Sequence, residues 1–316
     1  MLTKKIKFID NMPIHGHKFH EPQDTNPNGF KLFMTSAFIG PPRSGKTLSC
    51  INLSKYLQDN NLITEIILIS PTSDNNPFHV LNIPEENIIS SLEDVENELY
   101  RINNYCRNKV EKWKNMKKSI TEKKYNDYYN KILKLFKYTN KHPELIYEDD
   151  ELMLNDEDLE ILEDNKFLKR PFYYKVGPSF LLICDDINGS AVISDKKMNP
   201  MTQIISNQHN HINLFLLIQN YTKGIPPNVR RLIKQYFLYK FNDVNEIKQF
   251  YDEIASSYFN SFDHFKSIYR SITNVQHNFI LIDNDPKHDI LKVRKNFDEL
   301  IIFNDNDGPI SANPKK

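Results

Sequence analysis

Apolar positions along this chain fall into two alternating patterns: short unbroken runs, and longer stretches in which apolar residues recur at helical spacing. The runs are Phe33–Ile39 (FMTSAFI), Glu65–Ser70 (EIILIS), Phe180–Asp186 (FLLICDD), His211–Asn220 (HINLFLLIQN), Tyr236–Phe241 and Phe279–Ile282. Unbroken runs of this length predict strands buried on both faces, as in a parallel sheet. Between them, Leu48, Ile51, Leu53 and Leu57 predict a helix, as do a stretch from about Leu92 to Lys118 that opens with acidic residues, one from Pro200 to Asn210, and two within residues 243–275. Pro71 stops the second run. The alternation predicts an α/β fold with a mostly parallel central sheet flanked by helices. Residues 1–30 read as an irregular lead-in and residues 301–316 as a polar tail, with the core between about 31 and 300.

The first strand–helix junction carries the strongest chemical signal. Gly40, Gly45, Lys46 and Thr47 fit G-x-x-x-x-G-K-[ST], a phosphate-binding loop. The two glycines let the backbone bend and approach a nucleotide closely, the loop amides and the helix N-terminus form an anion cradle, Lys46 reaches the outer phosphates, and Thr47 supplies a hydroxyl for Mg²⁺. Pro41 and Pro42 have no N–H, so the cradle is expected from the amides of Arg43, Ser44, Gly45, Lys46 and Thr47. Only eight glycines occur in 316 residues. A chance match in a glycine-rich linker is therefore the weaker explanation.

Two later strand ends fit the same chemistry. The run FLLICDD delivers Asp185, expected to orient the Mg²⁺ shell, and Asp186, expected to polarise the attacking water. Gln219 ends LFLLIQ, where an amide positions water or senses hydrolysis, because doubly wound sheets hold ligands outside the carboxyl ends of their strands. In PPNVRR, adjacent Arg230 and Arg231 at a helix start oppose the helix dipole, which suggests another use for at least one of them, such as a cation offered to a neighbour's γ-phosphate.

Composition narrows the field modestly. Equal numbers of basic and acidic residues, 41 each, leave no global field for nucleic acid, so any such surface is local. Cys50, Cys106 and Cys184 are scattered and odd in number, against a disulfide frame or zinc ribbon and in keeping with a reducing compartment. No run approaches the roughly 18 apolar residues of a membrane span, so no membrane partner is expected. His15, His17 and His20 lack a spacing that aims them at one metal ion and read as part of a solvated tail. Between Arg101 and Lys141 basic residues interleave with Tyr105, Trp113, Tyr125, Tyr128, Tyr129 and Phe136, and from Glu144 to Asp164 there is no Lys or Arg. This charged insertion, about 92–170, reads either as a basic-aromatic arm for a nucleic-acid backbone or as a solvated helical hairpin whose charges pair locally.

With GPPRSGKT, EIILIS, FLLICDD, LFLLIQN and IPPNVRR in this order, the chain resembles the genome-packaging ATPases of nucleocytoplasmic large DNA viruses and virophages, within the FtsK–HerA group of P-loop NTPases. The resemblance runs from about residue 30 to 300. It implies a RecA-like core that binds ATP and Mg²⁺ through Lys46 and Thr47, with Asp185 and Asp186 as metal-binding and catalytic acids, Gln219 as sensor and Arg230 as a finger acting on the neighbouring subunit. It also implies a homo-oligomeric ring that drives double-stranded DNA into a capsid, with capsid or portal-like vertex proteins as partners, in the host cytoplasm or viral factory or at the assembling virion. Two features depart from the pattern: the insertion is longer, and Asp186 stands where relatives outside this branch have Glu. A nucleoside or small-molecule kinase and a non-translocating NTP-dependent switch are the competing readings of the same loop.

Overall fold

The computed structural model describes residues 2–5, 26, 29–71, 77–91, 93, 95–119, 121, 123–124, 177–187, 200–206 and 210–302. Among these, the strands are β1 (Leu2–Lys5), β2 (Thr35–Ile39), β3 (Glu65–Ile69), β4 (Ile88–Ile89), β5 (Phe180–Asp185), β6 (Ile212–Ile218), β7 (Gln235–Leu238), β8 (Ile280–Asp283), β9 (Val293–Lys295) and β10 (Glu299–Ile302). The main helices are α1 (Lys46–Asp59), α2 (Val95–Ser119), α3 (Pro200–Ser206), α4 (Val244–Glu253) and α5 (Phe262–Thr273).

One ten-stranded sheet has the order β1-β10-β9-β8-β7-β2-β6-β5-β3-β4. The six strands from β7 to β4 run parallel, and β8, β9, β10 and β1 add an antiparallel wing beside β7. Every residue of β2, β6 and β7 is buried, which is why these strands read as unbroken apolar runs. Alternate side chains serve opposite faces: Leu214, Leu216 and Ile218 of β6 join the core under α2, α3, α4 and α5, whereas Phe215 and Leu217 join the core under α1. Phe38 of β2 stacks on Phe237 of β7, centroids 4.2 Å apart, and meets Phe215 of β6 edge-on at 5.5 Å. These rings tie together the three central strands.

A buried polar chain joins the parallel and antiparallel halves. Ser36 donates to Gln235 at 2.9 Å and Gln235 to Asp283 at 2.9 Å, while Arg294 lies 3.8 Å from Asp283 and donates from Nε to the Leu291 carbonyl at 3.1 Å. Burial pushes the Asp283 carboxyl above its usual range against the pull of Arg294, and burial pushes the Arg294 guanidinium down to about 10.

Three expectations change. The lead-in contains a strand, β1, which pairs with β10. The polar tail begins later than expected, because Glu299–Ile302 is a strand. Strands of three or four residues at a sheet edge carry too short a pattern to read, and their pairing partners define them. The segment from Val95 to Ser119 is a core layer, with Val95, Leu99, Ile102, Cys106, Val110 and Trp113 buried at helical spacing. The start of the expected 92–170 insertion therefore overlaps a helix of the core. Tyr125, Tyr128, Tyr129, Phe136, the acidic stretch Glu144–Asp164 and His15, His17 and His20 lie outside the described residues.

Candidate nucleotide site

The loop between β2 and α1 is shaped by backbone constraints that its sequence meets. Gly40 follows β2 directly and donates its amide to the Ile218 carbonyl at 3.0 Å, tying the loop to the tip of β6. A Cβ at Gly40 would lie 2.6 Å from the Tyr239 Cβ, so only glycine fits there. Arg43 and Gly45 adopt positive φ, 63° and 104°, and Ser44 donates to the Pro41 carbonyl at 3.3 Å. Gly45 is the N-cap of α1, whose first turn has neither a side-chain cap nor an acidic residue. The positive end of the helix dipole is thus left for an anion from elsewhere.

Lys46 is 9% exposed, and its Nζ donates to the carbonyls of Gly40 at 2.6 Å and Pro41 at 2.9 Å. Burial pushes this ammonium below the usual lysine range, and Asp185 and then Asp186 pull it back up. The loop lysine and the acid pair therefore share one electrostatic site. Asp185 ends β5. Asp186 follows at φ 52°, left-handed backbone that turns the chain off the strand, and its Oδ1 accepts from Gln219 Nε2 at 2.9 Å.

The topology explains this meeting. β6 lies between the loop strand β2 and the acid strand β5, so all three carboxyl ends open on one edge, with Gln219 in the middle. The chain thus carries an α/β core whose central sheet is mostly parallel and flanked by helices. No protein-family model matches the sequence, and no curated protein matches it either. Among solved structures, the chain is similar to the DNA-packaging ATPase B204 of Sulfolobus Turreted Icosahedral Virus at 14% identity and TM-score 0.44, covering 84% of this chain and 97% of that one. B204 of Sulfolobus turreted icosahedral virus 2 in complex with AMPPCP gives 11% identity and TM-score 0.48 over 83% and 96%. EssC (ATPases 2 and 3) of Geobacillus thermodenitrificans gives 13% and 0.38 over 69% and 34%.

The remaining expected residues are placed less centrally. Thr47 is the second residue of α1, half-buried, and Arg43 is exposed on the loop. A Thr hydroxyl and an Asp carboxylate are the hard oxygen donors that suit Mg²⁺, which usually takes few protein ligands beside water and phosphate oxygens. Arg230 is turned inward. It is 5% exposed and ends a one-turn helix, Pro227–Arg230; its Nη1 lies 3.2 Å from Glu253, off the line of a hydrogen bond, and its guanidinium sits 4.9 Å over the Tyr221 ring. Arg231 is exposed.

Two residues that the sequence did not single out bear on the site. Glu246 of α4 accepts the backbone amides of Tyr221 at 2.8 Å and Thr222 at 3.1 Å, together with the Thr222 hydroxyl, and so pins the chain just beyond Gln219. His277, in the turn between α5 and β8, touches Ser44 and Gly45. Neither sits in a local motif. Both act across long sequence separation.

Trp113 and Tyr105 of α2 make contacts within the chain. Trp113 is 7% exposed, meets the His211 ring at 5.8 Å and leaves no room for a Cβ at Gly177, while the Tyr105 hydroxyl donates to Glu65 at 3.1 Å. Among the described residues no helix is long and apolar enough to cross a membrane.

Proposed function

We propose that this chain is an ATPase that assembles as a ring and moves double-stranded DNA, driving a viral genome into its capsid. The observation that carries the hydrolytic part is the convergence of Lys46, Asp185, Asp186 and Gln219 on one sheet edge beside an uncapped helix N-terminus. On this reading Lys46 exchanges its loop carbonyls for phosphate oxygens, forming charge-assisted bonds roughly twice as strong as neutral ones. The amides of Arg43, Gly45, Lys46 and Thr47 face the same anion, while that of Ser44 is taken up by the Pro41 carbonyl. Thr47 and Asp185 would hold Mg²⁺, which would supply positive charge against that developing on the phosphates. Asp186 accepts a proton from the attacking water, and Gln219, bonded to Asp186, holds that water in line. The site supplies position and charge rather than covalent chemistry, as phosphoryl transfer requires.

The DNA-moving and packaging roles rest on the order of the sequence motifs and their resemblance to packaging ATPases. Capsid or portal-like vertex proteins are the partners this role needs, and the host cytoplasm, viral factory or assembling virion is its place. The exposed cations of α2, among them Lys112, Lys114 and Lys118, offer a local basic surface in a chain of zero formal charge.

Measurement of ATP hydrolysis with and without double-stranded DNA tests the proposal. A motor hydrolyses faster with DNA. A kinase passes the phosphate to an acceptor instead, and a switch hydrolyses at one slow rate whether or not DNA is present. Either of those results overturns the motor.

A further inference from the structure

The turn that joins α5 to β8 reaches across the molecule to the phosphate-binding loop. His277 places its Nδ1 3.3 Å from the Ser44 carbonyl, 233 residues away in sequence. Its ring lies against the next residue as well: a Cβ built on Gly45 would be 3.1 Å from that Nδ1 and 3.2 Å from the His277 Cβ. His277 itself has φ 66°, left-handed backbone that few residues with a side chain adopt. His277 is exposed, yet its ring lies on the loop.

We propose that His277 is a positioning residue that holds the Ser44–Gly45 peptide in the orientation needed to bind phosphate. A carbonyl oxygen only accepts, so in this contact the ring carries its proton on Nδ1 and donates to Ser44. In a trans peptide the C=O and the following N–H point in opposite directions. Fixing the Ser44 C=O toward His277 therefore aims the Gly45 N–H away from it, into the loop. The lack of a Cβ at Gly45 lets the ring come close enough to do this. Through His277 the antiparallel wing completes a site that the parallel core otherwise builds alone. The inference rests on the nucleotide reading of the loop.

The test replaces His277 with Gly, Asn and Phe and measures binding of ATP and of inorganic tripolyphosphate by calorimetry. Gly removes the side chain while suiting the positive φ, Asn suits the same φ and restores an N–H donor near the Nδ1 position, and Phe keeps the ring without a donor. His277→Gly and His277→Phe are expected to weaken both ligands by about three- to tenfold, as for one neutral hydrogen bond. His277→Asn is expected to stay within about twofold of wild type, and all three are expected to melt close to wild type because His277 is exposed. Unchanged binding by His277→Gly overturns the proposal, as does rescue by Phe rather than Asn. A loss seen with ATP but not with tripolyphosphate overturns it too, because the residue would then contact the nucleoside. Lys46→Ala separates the two readings: a wild-type chain that binds neither ligand better than Lys46→Ala overturns the nucleotide site itself.

Discussion

Gln219 donates from Nε2 to the Oδ1 of Asp186 at 2.9 Å, joining the tips of β6 and β5. The bond fixes the carboxylate proposed as base and leaves the Gln219 carbonyl oxygen as an acceptor for water. A hydrogen bond to a charged group is worth about 1.5–3 kcal/mol. Gln219→Ala should thus lower kcat about ten- to a hundredfold while ATP binding stays near wild type, in a comparison of turnover with equilibrium binding. A fall in affinity with kcat unchanged would instead make Gln219 a ligand-binding residue.

The two acids should separate by role. Asp186→Asn should still bind Mg-ATP but hydrolyse it poorly, since an amide does not accept the water's proton. Asp185→Asn should raise the Mg²⁺ concentration needed for half-maximal binding. Removing either carboxylate should also leave Lys46 with less to hold its proton, because both pull that ammonium up against burial. Titrations of Mg²⁺ at fixed ATP, run on both variants, check the division; identical or reversed behaviour contradicts it.

The arginine pair is decided by mixing. Arg230 is held inside its own chain by Glu253 and Tyr221, whereas Arg231 is exposed. Arg230→Ala should chiefly lower the melting temperature, because it removes a buried guanidinium packed over Tyr221 beside the partly exposed Glu253. Arg231→Ala should leave stability unchanged and, as the cation available to a neighbour, should abolish hydrolysis. Fingers of this kind contribute about 10³- to 10⁵-fold in rate. Mixing Arg231→Ala with Lys46→Ala protein should restore activity, because some interfaces then pair an intact lysine with an intact arginine. If only the Arg230→Ala mixture recovers, Arg230 is released from its buried pairing in the ring and is the finger.

The exposed lysines of α2 and of the residues just after it make a separate claim. Lys114, Lys118, Lys123 and Lys124 are exposed, whereas Lys117 lies 4.6 Å over the Trp113 ring. Replacing the four exposed lysines with Gln should weaken DNA binding and flatten the dependence of log affinity on log salt by up to about 0.9 for each phosphate that is no longer neutralised. An unchanged slope returns these lysines to the role of a solvated face.

Much of this architecture was legible because the parallel strands are buried on both faces. The runs that became β2, β3, β5 and β6 have no polar alternation to confuse with a helix, and the phosphate loop, acid pair and Gln219 stand at their ends. The antiparallel wing was harder to read. β9 and β10 are three and four residues long, and they exist through pairing with β8 and β1. Arg230 reads from the sequence as a cation at a helix start, whereas it ends the one-turn helix Pro227–Arg230, and its pairing with Glu253, which α4 delivers from 23 residues further on, has no local signal. Glu246 and His277 were invisible in the same way, since most of their partners are backbone groups that any sequence supplies.

The central claim is that hydrolysis at this site moves DNA, and displacement of a triplex-forming strand from a linear duplex tests it most directly. Wild-type protein with Mg²⁺ and ATP should release the third strand, while Lys46→Ala and Asp186→Asn should not, even with DNA bound. Rapid ATP hydrolysis by the wild-type protein with the third strand left in place, once ring assembly on the duplex is verified, would contradict the account and leave the chain an ATPase that does not translocate.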